Sequence, residues 1–166
     1  MTAIPPTDIQ EVMRHLPHRH PFVLVDFVEG GVAGEWVRVR KHVSVDAPYF
    51  AHAGAERPAM PHSLIVEAIA QAGGVLCFYS GLFKPLGGSN SYLAGIDETR
   101  FERPAWAGET LHLEVRLKRA LRGVVRLAGR ALVGDELVVE AQLTLVIRDS
   151  DPESVGDARN GGAPGT

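Results

Sequence analysis

Met60-Pro61-His62-Ser63-Leu64-Ile65-Val66-Glu67-Ala68-Ile69-Ala70-Gln71-Ala72-Gly73-Gly74-Val75-Leu76-Cys77-Phe78-Tyr79 is the stretch that decides the fold. Pro61 is a helix-start residue, and Ser63 is placed to cap the first turn. From Leu64 onward the stretch is apolar on nearly every side, as in a buried helix. Glu67 and Gln71 interrupt the run, which falls short of the roughly 20 apolar residues that cross a bilayer. The sequence therefore predicts a core helix and no membrane span. Gly73-Gly74 lowers helix propensity and marks close backbone packing.

Glu67 is the informative residue of this helix. A carboxylate with no polar face around it must be paired, hydrogen-bonded or protonated, because burying it bare costs several kcal/mol. Gln71 lies one turn on, at i+4, and shares its face. Two readings are open on position alone: a proton-transfer carboxyl in an apolar pocket, or a structural carboxylate tied to backbone.

The rest of the chain bounds what surrounds the helix. Its 166 residues suffice for one domain with a real core, residues 1–148, followed by a polar, glycine-rich tail, 149–166, expected to be disordered. A net charge of -3 argues against bulk attraction to nucleic acid. A single cysteine, Cys77, excludes an internal disulfide and a cysteine metal cluster. It fits a reducing, cytoplasmic setting, and Met1 to Pro6 shows no secretory signal.

In chain order, Thr7-Asp8-Ile9-Gln10 has capping-box spacing with Thr7 as the cap. Ile9, Val12, Met13 and Leu16 then follow a helical period. His18 and His20 sit in an extended segment between prolines and lack a third metal ligand, so they read as structural rings. Phe22 to Val28 reads as a buried strand closed by Gly30-Gly31. Trp36 to Asp46 reads as a half-buried strand with Val37, Val39, Val43 and Val45 on one face. After the helix come four strand patterns: Ser91 to Phe101, Leu111 to Leu117, Val125 to Val133 and Leu137 to Ile147. Four successive antiparallel strands and one all-round apolar helix predict an α+β hot dog arrangement, a curled sheet wrapped around the central helix. One helix cannot cover such a sheet alone, which points to a dimer.

Several stretches then resemble one family. Leu16-Pro17-His18-Arg19-His20-Pro21-Phe22-Val23-Leu24-Val25-Asp26 is similar to the opening motif of the beta-hydroxyacyl-[acyl-carrier-protein] dehydratases of the FabZ type. Leu64 to Gly74 resembles their central helix. Tyr92-Leu93-Ala94-Gly95-Ile96-Asp97 with Arg100-Phe101 and Pro104 resembles the strand that follows, and Gly108-Glu109-Thr110-Leu111 the next turn. The resemblance implies dehydration of a beta-hydroxyacyl thioester, with a loop histidine taking the α-proton and the helix glutamate protonating the departing hydroxyl. It implies no cofactor, an acyl carrier protein as partner, and a homodimer or a trimer of dimers whose two catalytic residues come from different subunits.

Glu67 stands at the family glutamate. Gln71, Ser63, Met60 and Pro61 are the expected substrate contacts. Arg100 and Arg103 are the expected basic docking residues for an acidic carrier. The loop departs from the family pattern. In Phe50-Ala51-His52-Ala53-Gly54-Ala55-Glu56-Arg57-Pro58 the histidine position holds Ala53, with His52 one residue earlier, and the glycine opening the helix is His62. Four readings follow: His52 is the base, His62 is the base, the chain binds acyl groups or an active subunit without catalysis, or Glu67 activates water in a thioesterase.

Overall fold

The computed structural model describes residues 2–50, 57–84 and 89–149. Two short strands, β1 (Ala3–Ile4) and β2 (Thr7–Asp8), lead into helix α1 (Ile9–His15). Strands β3 (Phe27–Val32) and β4 (Trp36–His42) precede the two-residue β5 (Ala59–Met60) and helix α2 (His62–Tyr79). After α2 come β6 (Ser89–Phe101), the short β7 (Ala105–Trp106), β8 (Thr110–Leu121), β9 (Val124–Val133) and β10 (Glu136–Asp149). The main sheet runs β1-β3-β4-β8-β9-β10-β6, with β2 also paired to β3, and its pairings are antiparallel. α2 lies against β4, β8, β9 and β10. This is the hot dog architecture that the sequence predicts.

Alternation places the core. Val37 and Val39 of β4, Leu111, Leu113 and Val115 of β8, and Leu127 and Ala131 of β9 are all fully buried. They meet Ile65, Ala68, Ile69, Ala72, Val75 and Leu76 of α2, also fully buried. Two glycines set the distance between helix and sheet. A Cβ on Gly129 would lie 2.1 Å from Ile69 Cγ2, and one on Gly73 would lie 2.4 Å from Leu127 Cδ1. A side chain at either position would push Ile69 or Leu127 out of its place.

Several local expectations are corrected. Asp8, not Thr7, caps α1, accepting the Glu11 N–H at 3.1 Å. Thr7 is held in β2 opposite Val28, and its hydroxyl donates to the Pro5 carbonyl instead. Ser63 makes no capping bond, because the helix already begins at His62 and Pro61 is the flanking residue. A side chain that far inside the first turn is past the capping position. The strand expected over Phe22 to Val28 starts only at Phe27, and Gly30 and Gly31 lie within it. Leu24 and Val25 are buried because their segment runs across α2, not because they join the ladder early. The second strand stops at His42, leaving Val45 64% exposed. Asp149, placed in the tail by the sequence, closes β10; the rest of that tail lies outside the described residues.

Candidate active site

Glu67 faces the segment that precedes β3. Its Oε1 accepts a hydrogen bond from Gln71 Nε2 at 2.9 Å, and His18 Nε2 lies 3.3 Å from the same oxygen. Gln71 is 2% exposed. Its amide also donates to the Phe22 carbonyl at 2.8 Å, and its Oε1 accepts the Leu24 N–H at 2.8 Å. The i+4 spacing of Glu67 and Gln71 brings these groups to one helix face. A buried amide bonded through both N–H groups and its oxygen fixes the segment that carries His18.

His18 is the residue that sequence reasoning missed, having read it as a structural loop ring. Its Nδ1 is buried with no hydrogen-bond partner among the described residues. Nε2 is the ring nitrogen that faces the Glu67 carboxylate, 3.3 Å away. Local spacing gives no sign of a contact between residues so far apart in the chain. The one usable signal was the retained Pro17-His18 pair inside the recognised opening motif.

These contacts favour the charged form of Glu67. The bond from His18 holds the carboxyl below its ordinary range; partial burial opposes this, and the Gln71 bond reinforces it. Of the states the sequence left open for Glu67, paired, hydrogen-bonded or protonated, the contacts favour the hydrogen-bonded one. Glu67 and His18 line a pocket of about 120 Å³ with Leu16, Gln71, Cys77, Phe83, Leu93, Leu145 and Ile147. Burial pushes the Cys77 thiol up to about 12, so it serves as an apolar wall and not as a nucleophile.

Among the other expected site residues, His52 lies outside the described residues. The His62 ring stacks on Phe101 with centroids 4.7 Å apart, and its Nε2 lies 3.3 Å from the Arg103 carbonyl oxygen. His62 is thus engaged away from the Glu67 pocket. Met60 is buried in the core, while Pro61 and Ser63 are exposed at the head of α2; none of the three lines the pocket. Arg100 pairs with Glu102 and Glu140. Arg103 pairs with Glu109 at 2.6 Å and Glu136 at 3.1 Å.

The FabA-like domain family matches residues 16–142. The 3-hydroxyacyl-[acyl-carrier-protein] dehydratase FabZ of Dechloromonas aromatica is 42% identical over 142 residues, covering 86% of this chain and 99% of that protein. The protein of the same name from Alkalilimnicola ehrlichii is 41% identical over 150 residues, covering 90% and 96%. A chain of the dehydratase heterocomplex ApeI:P from Xenorhabdus doucetiae has the same fold, with a TM-score of 0.71 at 22% identity over 87% of this chain and 93% of that one. The chain belongs to the FabA-like domain family, with the FabZ-type 3-hydroxyacyl-[acyl-carrier-protein] dehydratases as its relatives.

Proposed function

We propose that the chain is a dehydratase, a hydro-lyase converting 3-hydroxyacyl thioesters on acyl carrier protein to trans-2-enoyl thioesters in fatty acid or related acyl-chain biosynthesis. The observation that carries this reading is Glu67, a carboxylate whose Oε1 accepts a bond from Gln71 and faces His18 at 3.3 Å beside an apolar pocket. Its Oε2 receives no hydrogen bond from any described residue. In the proposed step Oε2 takes the proton from Cα. The released electron pair forms the Cα=Cβ bond as the Cβ–O bond breaks. The proton then passes from Glu67 to the departing hydroxide, which leaves as water, and the carboxylate is restored. One carboxyl thus serves as acceptor and then donor, without net proton change. His18 and Gln71 are positioning residues that keep Oε1 occupied. His62 takes no part, and His52 is the competing proton acceptor.

The test is interconversion of hydroxyacyl and enoyl thioesters, run in both directions. Glu67→Gln keeps shape and hydrogen bonding but cannot exchange a proton, so the rate is expected to fall at least about 10²-fold. A comparable loss in His52→Ala, with Glu67→Gln retaining activity, moves the base to the loop. Acyl thioester binding without turnover assigns a non-catalytic role, and release of free thiol assigns a thioesterase.

The same reading places the protein in the cytoplasm as a homodimer, or a trimer of dimers, joined through β6. That strand is the sheet edge, and Tyr92, Leu93, Ile96 and Phe101 on it are 40–56% exposed. A long apolar edge left open invites pairing with another copy. Light scattering is expected to give at least a dimer, and Ile96→Lys to weaken it; a wild-type monomer at micromolar concentration sinks the assignment.

A further inference from the structure

The pocket beside Glu67 has a direction. Its helix side is made by Glu67, Gln71, Gly74 and Cys77, each about one turn further toward the C-terminus of α2. Beyond Cys77 the chain turns back. The Leu82 N–H bonds the Cys77 carbonyl at 3.0 Å, which brings Phe83 to that end of the pocket. The facing side is the β6–β10 edge of the sheet. Its register pairs Leu93 with Leu145, Ser91 with Ile147 and Ser89 with Asp149. Each pair lies two residues from the last on both strands, so all three share one sheet face. The first two pairs line the pocket, and the third stands just past it.

That third pair is where the face turns polar. Ser89 is buried, and its hydroxyl donates to Asp149 Oδ1 at 3.0 Å while accepting the Lys84 N–H at 3.2 Å. Lys84 Nζ donates to Asp149 Oδ2 at 2.8 Å. Both carboxylate oxygens are thus engaged. The Lys84 bond, with the Ser89 bond behind it, holds the carboxyl below its ordinary range. Lys84 follows Phe83 directly in the chain, so the clasp is tied to the residue that ends the pocket. An exposed ion pair contributes little by itself. This one encloses a buried hydroxyl, whose bonds the fold has to keep. An alkyl chain advancing past Ile147 meets groups that it cannot bond. Covering them takes away their water and gives nothing in exchange.

We propose that the Lys84–Ser89–Asp149 clasp is the end stop of the acyl pocket and sets the longest chain that the protein accepts. The inference rests on the dehydratase reading for the identity of the chain that enters. The pocket, at about 120 Å³, is a little smaller than the roughly 150 Å³ of an apolar cavity that holds one benzene ring. By that measure about five carbons fit beyond the one that carries the hydroxyl, which makes 3-hydroxyoctanoyl the longest group accommodated. The stop works through polarity. It is made of charged groups held in place by hydrogen bonds, and not of a bulky side chain.

The experiment measures kcat/KM on acyl carrier protein loaded with 3-hydroxybutyryl, 3-hydroxyoctanoyl, 3-hydroxydodecanoyl and 3-hydroxypalmitoyl groups. For wild type it is expected to fall at least about tenfold between octanoyl and dodecanoyl. Lys84→Met/Asp149→Leu removes both charges together and is expected to recover at least about tenfold on dodecanoyl, with butyryl turnover unchanged. Ser89→Val places an alkyl group at the buried point of the clasp and is expected to act in the same direction. The exchanged pair, Lys84→Asp/Asp149→Lys, keeps the end polar and is expected to keep the wild-type limit. A wild type that handles palmitoyl as well as octanoyl overturns the proposal. So does a limit that neither apolar variant moves. An exchanged pair that moves the limit as far as the apolar one also overturns it, because the effect is then packing and not polarity. If wild type turns over none of the four substrates, the dehydratase reading fails on its own. Affinity for saturated acyl N-acetylcysteamine thioesters of the same lengths then decides the stop. Affinity that drops beyond octanoyl and recovers in Lys84→Met/Asp149→Leu supports it; affinity that climbs steadily to palmitoyl overturns it.

Discussion

The pocket wall and the β8–β9 hairpin hold charge in opposite ways. At the wall a single carboxylate oxygen meets the Gln71 amide and the His18 ring, and both N–H bonds of that amide are made. On the hairpin Arg116, Lys118, Arg119, Arg122 and Arg126 meet no carboxylate among the described residues, and Arg119 and Arg126 face each other. The difference follows from water. Under partial burial an unanswered polar group loses its solvent and has nothing in exchange. On an exposed strand water screens the repulsion, so the misfit is small and the charge stays available.

The comparison breaks most visibly if the wall is left unanswered. Gln71→Leu strips partners from the Phe22 carbonyl and the Leu24 N–H and one donor from Glu67. Chemical denaturation is expected to show a loss of about 3 kcal/mol, from buried groups at roughly 1–3 kcal/mol each. A loss below about 1 kcal/mol means that water replaces the amide and the wall is not dry. His18→Leu comes next. Removing a donor to a charged oxygen is expected to lower kcat about tenfold to 10²-fold, while His18→Gln, which keeps an N–H, retains most of it. Equal losses in both variants convert His18 from a positioning residue into a proton carrier. The same contact makes stability depend on pH with a definite sign. The folded carboxyl of Glu67 is depressed, so its contribution is present above about pH 4.5 and is lost as pH falls through the folded value. His18→Leu should flatten that acid limb. The smallest effect has the opposite sign: Arg119→Gln relieves the pair with Arg126 and is expected to stabilise the chain by about 0.2–1 kcal/mol. Destabilisation there means that the two arginines share an anion not yet identified.

The larger elements were readable in the sequence. The helix around Glu67 follows from its proline start and all-round apolar run, the four strands after it from their strand patterns, and the curled sheet from an apolar helix that needs covering. Contacts set by long loops were not readable. Phe22 to Asp26 is apolar like a strand but is held by a glutamine on α2, and nothing in its own composition tells the two apart. Glu67 was found from the sequence because a lone carboxylate in an apolar run is conspicuous. Its ionisation was not, because the sign depends on His18 reaching it from a distant segment. His62 was a reasonable imidazole by position, yet Phe101 and the Arg103 carbonyl claim it. The unanswered arginines are visible only as a register, Arg119 against Arg126, which no single-strand pattern reveals.

The sheet order also says something about how the chain assembles. β8, β9 and β10 are joined by tight turns, so their pairing closes only short loops. β4 finds β8 with Trp36 opposite Arg116, across the whole of α2 and β6. The meander is therefore the part that can form early, and Gly129 on it is the seat onto which Ile69 must settle. Until that docking, the most apolar helix of the protein has no cover. A topology with so many distant pairings belongs among the slower folders. During synthesis α2 leaves the ribosome before the strands that bury it exist, which makes this interval the protein's most aggregation-prone moment.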